Sequence, residues 1–414
     1  MTVHGIVANV AIEYCPPIPI GLPTLAKLAF DGADLAPIWN TLADRVINGM
    51  SDTAALIDLS TIAHLQGRPA DRLALQSQAL AINCVYRQPP AAEATRSIRL
   101  LAFMAPGDFM ANIPVEFMLE GSDVNLDMVY IVPGAQLPRP FPEHDIALVA
   151  VAESSANQVV LREIAATVKS WPRPVLNLPN RIARLTRDGT WELLKSAPGV
   201  EIPVNARVTR ATLVQIGVGS EQLKNFLAEI KFPIIVRPID SHAGEGLAKL
   251  DDQVAINTYL AARTEHEFYI APFVDYRSKD GLFRKYRIAL IEGRPYACHM
   301  AISNHWMIHY LNADMRERPE RRAEEARFMA EFDFDFAVRH ASALSAIAER
   351  FDLDYIPIDC GETHDGKLLV FEAGTNMIVH AMDPPELFPY KKPQIEKVFG
   401  AFQSMLRKRA MELT

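Results

Sequence analysis

The stretch "YIPIDCGETHDGKLLVFEAG", residues 355–374, decides how the C-terminal part of the chain folds. Two apolar runs flank Asp365-Gly366, a dipeptide that favours a two-residue hairpin turn because both positions tolerate positive φ. Counting outward from His364 opposite Lys367 sets Asp359 opposite Glu372. Like charges directly opposed in an antiparallel pair destabilise it, with Cβ atoms about 4.5–5.5 Å apart. In this register one face carries Tyr355, Pro357, Asp359 and Gly361 against Val370, Glu372 and Gly374. The other carries Ile356, Ile358 and Cys360 against Leu369, Phe371 and Ala373, and reads as core. Two carboxylates on the open face are most simply reconciled by a hard cation such as Mg²⁺, which takes one or two carboxylates plus substrate phosphates. A surface pair relieved by lysines is the plainer alternative.

A chain of 414 residues is too long for one average core and implies two or three domains. Its 42 basic and 50 acidic residues give a formal charge of -8, which argues against a nucleic-acid or anionic-membrane footprint. With 49% hydrophobic and 22% charged residues the composition is that of an ordinary globular protein. Cys15, Cys84, Cys298 and Cys360 are scattered without metal-like spacing and read as reduced, mostly buried thiols of a cytoplasmic protein. The apolar run from Gly5 to Ile12 lacks a basic flank and meets Glu13, so it reads neither as a signal peptide nor as a membrane span.

From about Leu22 to Tyr86 the periodicity is helical, and residues 54–83 read as helix, Gly-Arg-Pro turn, helix, like a single tetratricopeptide-type pair. One copy cannot stack into a solenoid, so it reads as a docked helical cap rather than a peptide-binding array. Residues 87–97, "RQPPAAEATRS", read as a linker. Beyond it, runs at 98–107, 126–134 and 145–154, with a helix at 157–171, suggest a small, mostly parallel α/β domain. No GxGxxG motif is present, so dinucleotide binding is not assigned. Further on, 231–252 reads as strand, glycine-containing loop and strand, 267–276 as strand and turn, and 284–303 as a hairpin turning at Glu292-Gly293. A charged helical segment from about Arg318 to Phe351 precedes the opening hairpin, and residues 392–411 close the chain as an amphipathic helix.

Arg237 stands at a strand end before the flexible loop Gly244-Glu245-Gly246, the arrangement of a flap whose backbone N–H groups cover phosphates. In order and spacing, the segments Pro233–Gly246, Tyr269–Tyr276, Tyr286–Gly293 and the pair Asp359 and Glu372 resemble the ATP-grasp superfamily, of the glutathione synthetase and ribosomal-protein glutamate ligase type. The likeness covers roughly residues 95–400. It implies an α/β (α+β) chain: a helical N-terminal region at 1–92, a preceding small α/β domain at 93–175, and an ATP-grasp domain at 176–414 with subdomains at about 200–275 and 276–414.

The resemblance also implies ATP and Mg²⁺ as cofactors. Arg237 and the flap would hold phosphates, and backbone groups of Ala271 and Phe273 would read adenine. Asp359, Glu372 and Asn376 would hold the metal, and Arg287 the transferred group. His242 in the flap would stabilise charge or act as base, against the alternative of a solvent-exposed loop histidine. His305, His309, Tyr310 and Asn312 would contact the acceptor, against the alternative of structural packing. His305 and His309 at i, i+4 could also face a transition metal from one side of a helix.

Four departures stand out. Arg237 replaces the family's lysine, Gly374 stands where its metal-strand asparagine is expected, the hinge "YIAPFVDY" lacks the usual acid or amide beside adenine, and Lys285 stands where some members have an acid before the hairpin. The leading expectation is an ATP-dependent carboxylate–amine ligase acting on an amino acid, small peptide or related metabolite. The rival is an ATP-binding sensor or scaffold whose N-terminal helices recruit a protein partner or a second copy. A kinase that stops at phosphate transfer is a third reading.

Overall fold

A computed structural model describes residues 15–49, 51–91, 97–227, 230–241 and 244–412. Four helices come first: α1 (Leu22–Phe30), α2 (Ala36–Asn48), α3 (Thr53–Leu65) and α4 (Pro69–Ile82). Proline in the first turn of α1, α2 and α4 starts each helix where its missing N–H is no loss. Asp52 caps α3 by accepting from the Ala55 N–H at 3.0 Å. Within α3 the buried Asp58 accepts from Ile20 N (2.7 Å) and Gly21 N (3.1 Å), which ties the entry of α1 to α3. Burial pushes that carboxyl up to about 6 against two stabilising backbone bonds. The helical pattern does not run to Tyr86, because Val85–Gln88 form a strand, β1. Its β-branched and aromatic residues pack on a sheet, and Arg87 bonds Asp127 at 2.7 Å across the ladder. Arg87 and Gln88 of the expected linker therefore belong to that sheet, while residues 92–96 lie outside the described ones.

The first sheet adds β2 (Arg99–Met104), β3 (Asn125–Tyr130), β4 (Ile146–Val149) and β5 (Val175–Leu176) in the order β1-β3-β2-β4-β5. Only β1 is antiparallel, and helices α5 (Val115–Met118) and α6 (Gln158–Thr167) are inserted between its strands. After α7 (Pro179–Ile182), α8 (Arg187–Leu194) and β6 (Val200–Glu201) comes an antiparallel sheet of β7 (Ala206–Thr209), β8 (Ile234–Pro238), β9 (Ala248–Leu250) and β10 (Glu267–Pro272). With α9 (Arg210–Gly217) and α10 (Gln253–Ala261) it encloses a separate core around Ile216, Ile234, Ile256 and Phe268.

The third sheet, in the order β12-β11-β13-β14-β6, contains β11 (Phe283–Ile291), β12 (Arg294–Ser303), β13 (Tyr355–Glu362) and β14 (Leu368–Ala373). Positive φ at both Glu292 and Gly293 makes the expected tight turn between β11 and β12. Helices α11 (Pro319–Glu331), α12 (Phe336–Arg339) and α13 (Ala341–Phe351) fill the charged helical segment, and α14 (Lys391–Met411) ends the chain. The first and third sheets share one apolar core, bridged by α14, whose Gln403 donates to the Met118 carbonyl at 3.0 Å.

The β13–β14 hairpin reaches its register by a route other than the expected one. Thr363 N–H donates to Lys367 O at 3.0 Å, so the loop has three residues, His364, Asp365 and Gly366, with Gly366 at φ 81°. That one-residue slip is cancelled by a β-bulge between Asp359 and Cys360, where Phe371 is the extra residue. Asp359 still pairs with Glu372, but Val370 now pairs with Cys360, and Phe371 lies over Gly361. The two residues thus exchange the faces expected of them.

A Cβ at Gly361 would stand 2.9 Å from the Phe371 ring and 3.3 Å from the Arg284 carbonyl. Gly361→Ala is therefore expected to destabilise the protein by about 1–3 kcal/mol. Gly400→Ala, at an exposed position of α14 with open space around it, is expected to stabilise it by about 0.5–1 kcal/mol. Urea denaturation of both variants measures the contrast.

Candidate active site

One row of side chains crosses four adjacent strands of the third sheet. His299 on β12 is opposite Arg287 on β11, Arg287 is opposite Asp359 on β13, and Asp359 is opposite Glu372 on β14. A β-bulge adjoins this row on both outer pairs, at Cys298 and at Phe371, so all four side chains are aimed at one cavity. The cavity, of about 1110 Å³, lies between the second and third sheets and runs on beneath α1.

Each of the opposed carboxylates meets cations of the protein's own side chains. Arg287 donates to Asp359 through Nε (2.7 Å) and Nη2 (3.0 Å), and Lys285 Nζ donates to its Oδ2 at 2.8 Å. The third arm of Arg287 donates to the Ile378 carbonyl at 3.0 Å. Burial alone would raise the Asp359 carboxyl, but Arg287 and Lys285 hold it well below the usual carboxylate range. Glu372 meets Arg187 at 3.1 Å, with the other arm of that guanidinium on the Phe371 carbonyl at 3.2 Å. Burial again opposes ionisation of Glu372, and Arg187 and Arg237 overcome it. Nothing in the residues around Arg187, which opens α8, marked it for this role.

Arg237 ends β8 and is 8% exposed. Its Nε donates to Ser241 Oγ at 3.1 Å and its Nη2 to the Ser241 carbonyl, yet no carboxylate among the described residues lies within ion-pair reach. Burial, and then Arg187, push its pKa down to about 10. Arg187, Arg237, Lys285 and Arg287 share this end of the cavity with Asp240, Asp359 and Glu372, so cations exceed anions by one while Glu153 is protonated. A buried cation without a counter-charge costs several kcal/mol, so this end of the cavity is built for an anion. Glu153 also lines it, its carboxyl raised to about 7 by burial and by neighbouring Asp240.

The expected phosphate flap is partly placed. Gly244 lines the cavity, Glu245 is exposed, and Gly246 sits behind the loop, where its carbonyl accepts from Tyr259 at 2.7 Å. Gly246 has φ 64°, and a Cβ there would stand 2.7 Å from the Pro238 ring. His242 lies outside the described residues. Ala271 and Phe273 line the cavity, but the Phe273 N–H is committed to Pro233 O at 3.1 Å. Alternation along an antiparallel pair turns the Ala271 N–H toward Ile235 of β8 as well, so neither donor faces a ligand. Pro233 has no N–H, which leaves the Phe273 carbonyl without a ladder donor. Trp306 packs on the Phe273 ring at 5.7 Å, and Lys249 lies over it at 4.8 Å.

On the acceptor side His309, Tyr310 and Asn312 line the cavity. His305 is exposed outside it, and residues 304–309 are not helical, so the i, i+4 metal pair does not form. Tyr310 donates to the buried Glu325 at 2.9 Å and packs on His299 at 5.0 Å. His299, which the sequence reading passed over, has no hydrogen-bond partner at Nε2 among the described residues. Burial and Arg287 keep it neutral, holding its pKa well below the ordinary value.

Asn376 lines the cavity with its amide nitrogen on the Met110 carbonyl at 2.7 Å. A Cβ at Gly374 would come within 2.8 Å of its Oδ1, so the glycine makes room for this asparagine. No group of three or more His, Cys, Asp and Glu forms a metal cage among the described residues. Asp359 and Glu372 are nonetheless hard oxygen donors with lone pairs to spare, which suits Mg²⁺ where ligand oxygens complete its shell.

No family model and no curated protein matches the chain. Among solved structures it is similar to a RimK domain ATP-grasp protein from Sphaerobacter thermophilus, at 17% identity over 74% of this chain and 99% of that one, with a TM-score of 0.40. It is also similar to the VanG D-Ala:D-Ser ligase of Enterococcus faecalis, at 10% identity over 76% of this chain and 100% of that one, with a TM-score of 0.44. Likenesses this distant do not bear on activity.

Arg237→Met removes the uncompensated cation and is expected to stabilise the ligand-free protein by about 1–4 kcal/mol in urea denaturation. Glu153 has a folded pKa raised above its unfolded one, so its contribution is present at low pH and is lost as pH rises toward about 7. Glu153→Gln is expected to remove that share of the stability decline between about pH 5 and about 8, measured as the change in denaturation midpoint with pH.

Proposed function

We propose that the chain is an ATP-dependent carboxylate–amine ligase with the ATP-grasp architecture that its sequence resembles. The observation that carries this reading is Arg237, a buried guanidinium with no ion-pair partner among the described residues, in a cluster with Arg187, Lys285 and Arg287. A polyphosphate supplies the missing anion, and Arg237 and Arg187 can each take phosphate oxygens through planar guanidinium forks. Adenine would lie against Phe273, with the free Phe273 carbonyl as acceptor for its amino group. At 1110 Å³ the cavity exceeds the roughly 300–1,000 Å³ of a single-ligand site, which leaves room for a second substrate.

In the first step a carboxylate oxygen attacks the γ-phosphorus, the bond from the β,γ-bridging oxygen to that phosphorus breaks, and ADP leaves. Arg287 stands beside the transferred group. In the second, the amine nitrogen attacks the acyl carbon, phosphate departs with the C–O bond pair, and the nitrogen loses a proton. The departing phosphate can take that proton; His299, its Nε2 buried and its pKa held well below the ordinary value, would be a neutral wall beside Arg287 rather than the base. Mg²⁺ held by Asp359 and Glu372, with Asn376 beside them, would supply charge neutralisation among the phosphates. The protein's share is positioning and preorganised charge.

Asp359 is a poor residue to mutate as a test. Its loss would strand Lys285 and Arg287 as buried, unpaired cations, at about 3–5 kcal/mol. Glu372 is the cleaner choice, since its side chain is 40% accessible to the cavity and has one ion-pair partner, Arg187. Glu372→Gln is expected to stay cooperatively folded, with a denaturation midpoint lowered by loss of the Arg187 ion pair, while lowering acid-and-amine-stimulated ADP release by about 100-fold or more, in the range that loss of one preorganised electrostatic group costs.

One observation favours the sensor reading: both Asp359 oxygens already accept from protein cations. A protein that binds Mg-ATP in calorimetry, yet releases no ADP above background across a broad panel of acids and amines, would be such a sensor. A stable phosphorylated product formed without an amine would identify a kinase.

A further inference from the structure

The two ends of the cavity differ in charge. Arg187, Arg237, Lys285 and Arg287 gather at the phosphate end. Beyond Arg287 the buried Lys391 is compensated, and the other charged pair, Arg316 and Glu317, is exposed at the mouth. Lys391 Nζ sits 3.1 Å from Asp383 and 3.6 Å from Glu325, with the Tyr310 ring 3.8 Å away. Arg316 at the mouth stacks on Phe30 at 5.5 Å. His380 is wedged between Phe30 (6.0 Å) and Phe117 (6.4 Å), and burial keeps it neutral. A second carboxylate or an ammonium held under α1, short of the exposed Arg316 and Glu317, would face apolar side chains and would lose its hydration.

What does face this end is apolar, and part of it comes from the N-terminal helical unit. Leu22, Ala26 and Ala29 follow one stripe of α1, spaced by four and then three residues, and all three line the cavity. The opposite side of α1 places Leu25 in the core of the helical unit with Leu59 and Ile62. Leu22 to Ala29 spans about 10 Å of helix axis, enough to cover an aromatic ring and a short linker. The two alanines keep that space open. Asp58, by holding the Ile20 and Gly21 N–H groups, fixes the stripe over the cavity.

Resting on the ligase reading above, we infer that the acid substrate is a monocarboxylic acid with an uncharged, apolar tail of aryl or branched-alkyl size. Its carboxylate lies beside Arg287 and its tail lies under α1, so the N-terminal helices form one wall of the substrate site. This class of acid replaces the amino acid or small peptide that the family resemblance suggests.

The test traps the acylphosphate with hydroxylamine, whose nitrogen attacks the acyl carbon, expels phosphate, loses a proton and leaves a hydroxamate. The full chain with Mg-ATP and hydroxylamine is given 3-phenylpropionate, 4-methylpentanoate, glutamate or succinate. ADP and hydroxamate are measured, and ATP affinity is read separately by calorimetry. The apolar acids are expected to give at least about tenfold more hydroxamate, the discrimination that burying one apolar group supplies. Ala29→Trp should lower the yield from 3-phenylpropionate by at least about tenfold, with ATP affinity unchanged within about twofold. Ala29→Leu, a smaller wedge, should shift preference to shorter acids. Preference for glutamate or succinate, or indifference of the 3-phenylpropionate yield to both Ala29 variants, overturns the inference and leaves the ligase standing. Absence of ATP binding, or of hydroxamate from every acid, removes the ligase reading and the inference with it.

Discussion

The ion cluster of Asp359 with Arg287 and Lys285 is the constraint from which the rest of the site follows. Its carboxylate is 4% exposed and accepts from both cations, so none of the three charges can be removed without stranding another in a low-dielectric interior. That requirement fixes β11 against β13 at their midpoint. It also fixes, one strand further on each side, where His299 and Glu372 stand. The outermost arm of Arg287 reaches the Ile378 carbonyl and so sets the course of the chain after β14, where the cavity turns toward the N-terminal helices.

The charges of the cavity are sorted by position rather than by sum. The chain carries a net charge of -8, and within the cavity Arg187, Arg237, Lys285 and Arg287 gather at one end, among Asp240, Asp359 and Glu372. An acidic exterior does not draw polyanions by long-range steering, and surface charges are screened within about 8 Å at physiological ionic strength. Recognition of an anion here is therefore local, made by desolvated groups after entry.

Much of this was legible from residue order alone, and the failures have definite physical causes. Strands with continuous apolar runs and the tight turn at Glu292-Gly293 follow from short-range patterns, whereas the pairing of Asp359 with Glu372 matches the two-residue-turn count only because loop and bulge offset each other. The helix-to-strand change at Val85 was missed because β1 draws its stability from pairing with β3, about forty residues away, rather than from its own periodicity. Arg187 was missed for the same kind of reason, since its partners at Phe371 and Glu372 lie far along the chain. The N–H groups of Ala271 and Phe273 are turned to β8 because hydrogen-bond direction alternates along a strand, and only the neighbouring strand decides which groups point inward. The three-residue loop and the bulge at Phe371 were invisible because a glycine at 361 makes room for the displaced ring, and nothing in β14 itself announces that.

Those last two irregularities leave the gene free to change at both places. A deletion within the loop would leave a two-residue turn with Thr363 still opposite Lys367, and every pair beyond it unchanged. Loss of Phe371 would leave a flat strand with Val370 still opposite Cys360 and Glu372 still opposite Asp359. Neither change turns Glu372 off the cavity, because an unpaired residue can be removed without moving the pairs on either side of it. Related sequences should accordingly tolerate a gap at the loop and a gap at Phe371 independently of one another, while a gap at a paired position between them would turn every later side chain to the wrong face.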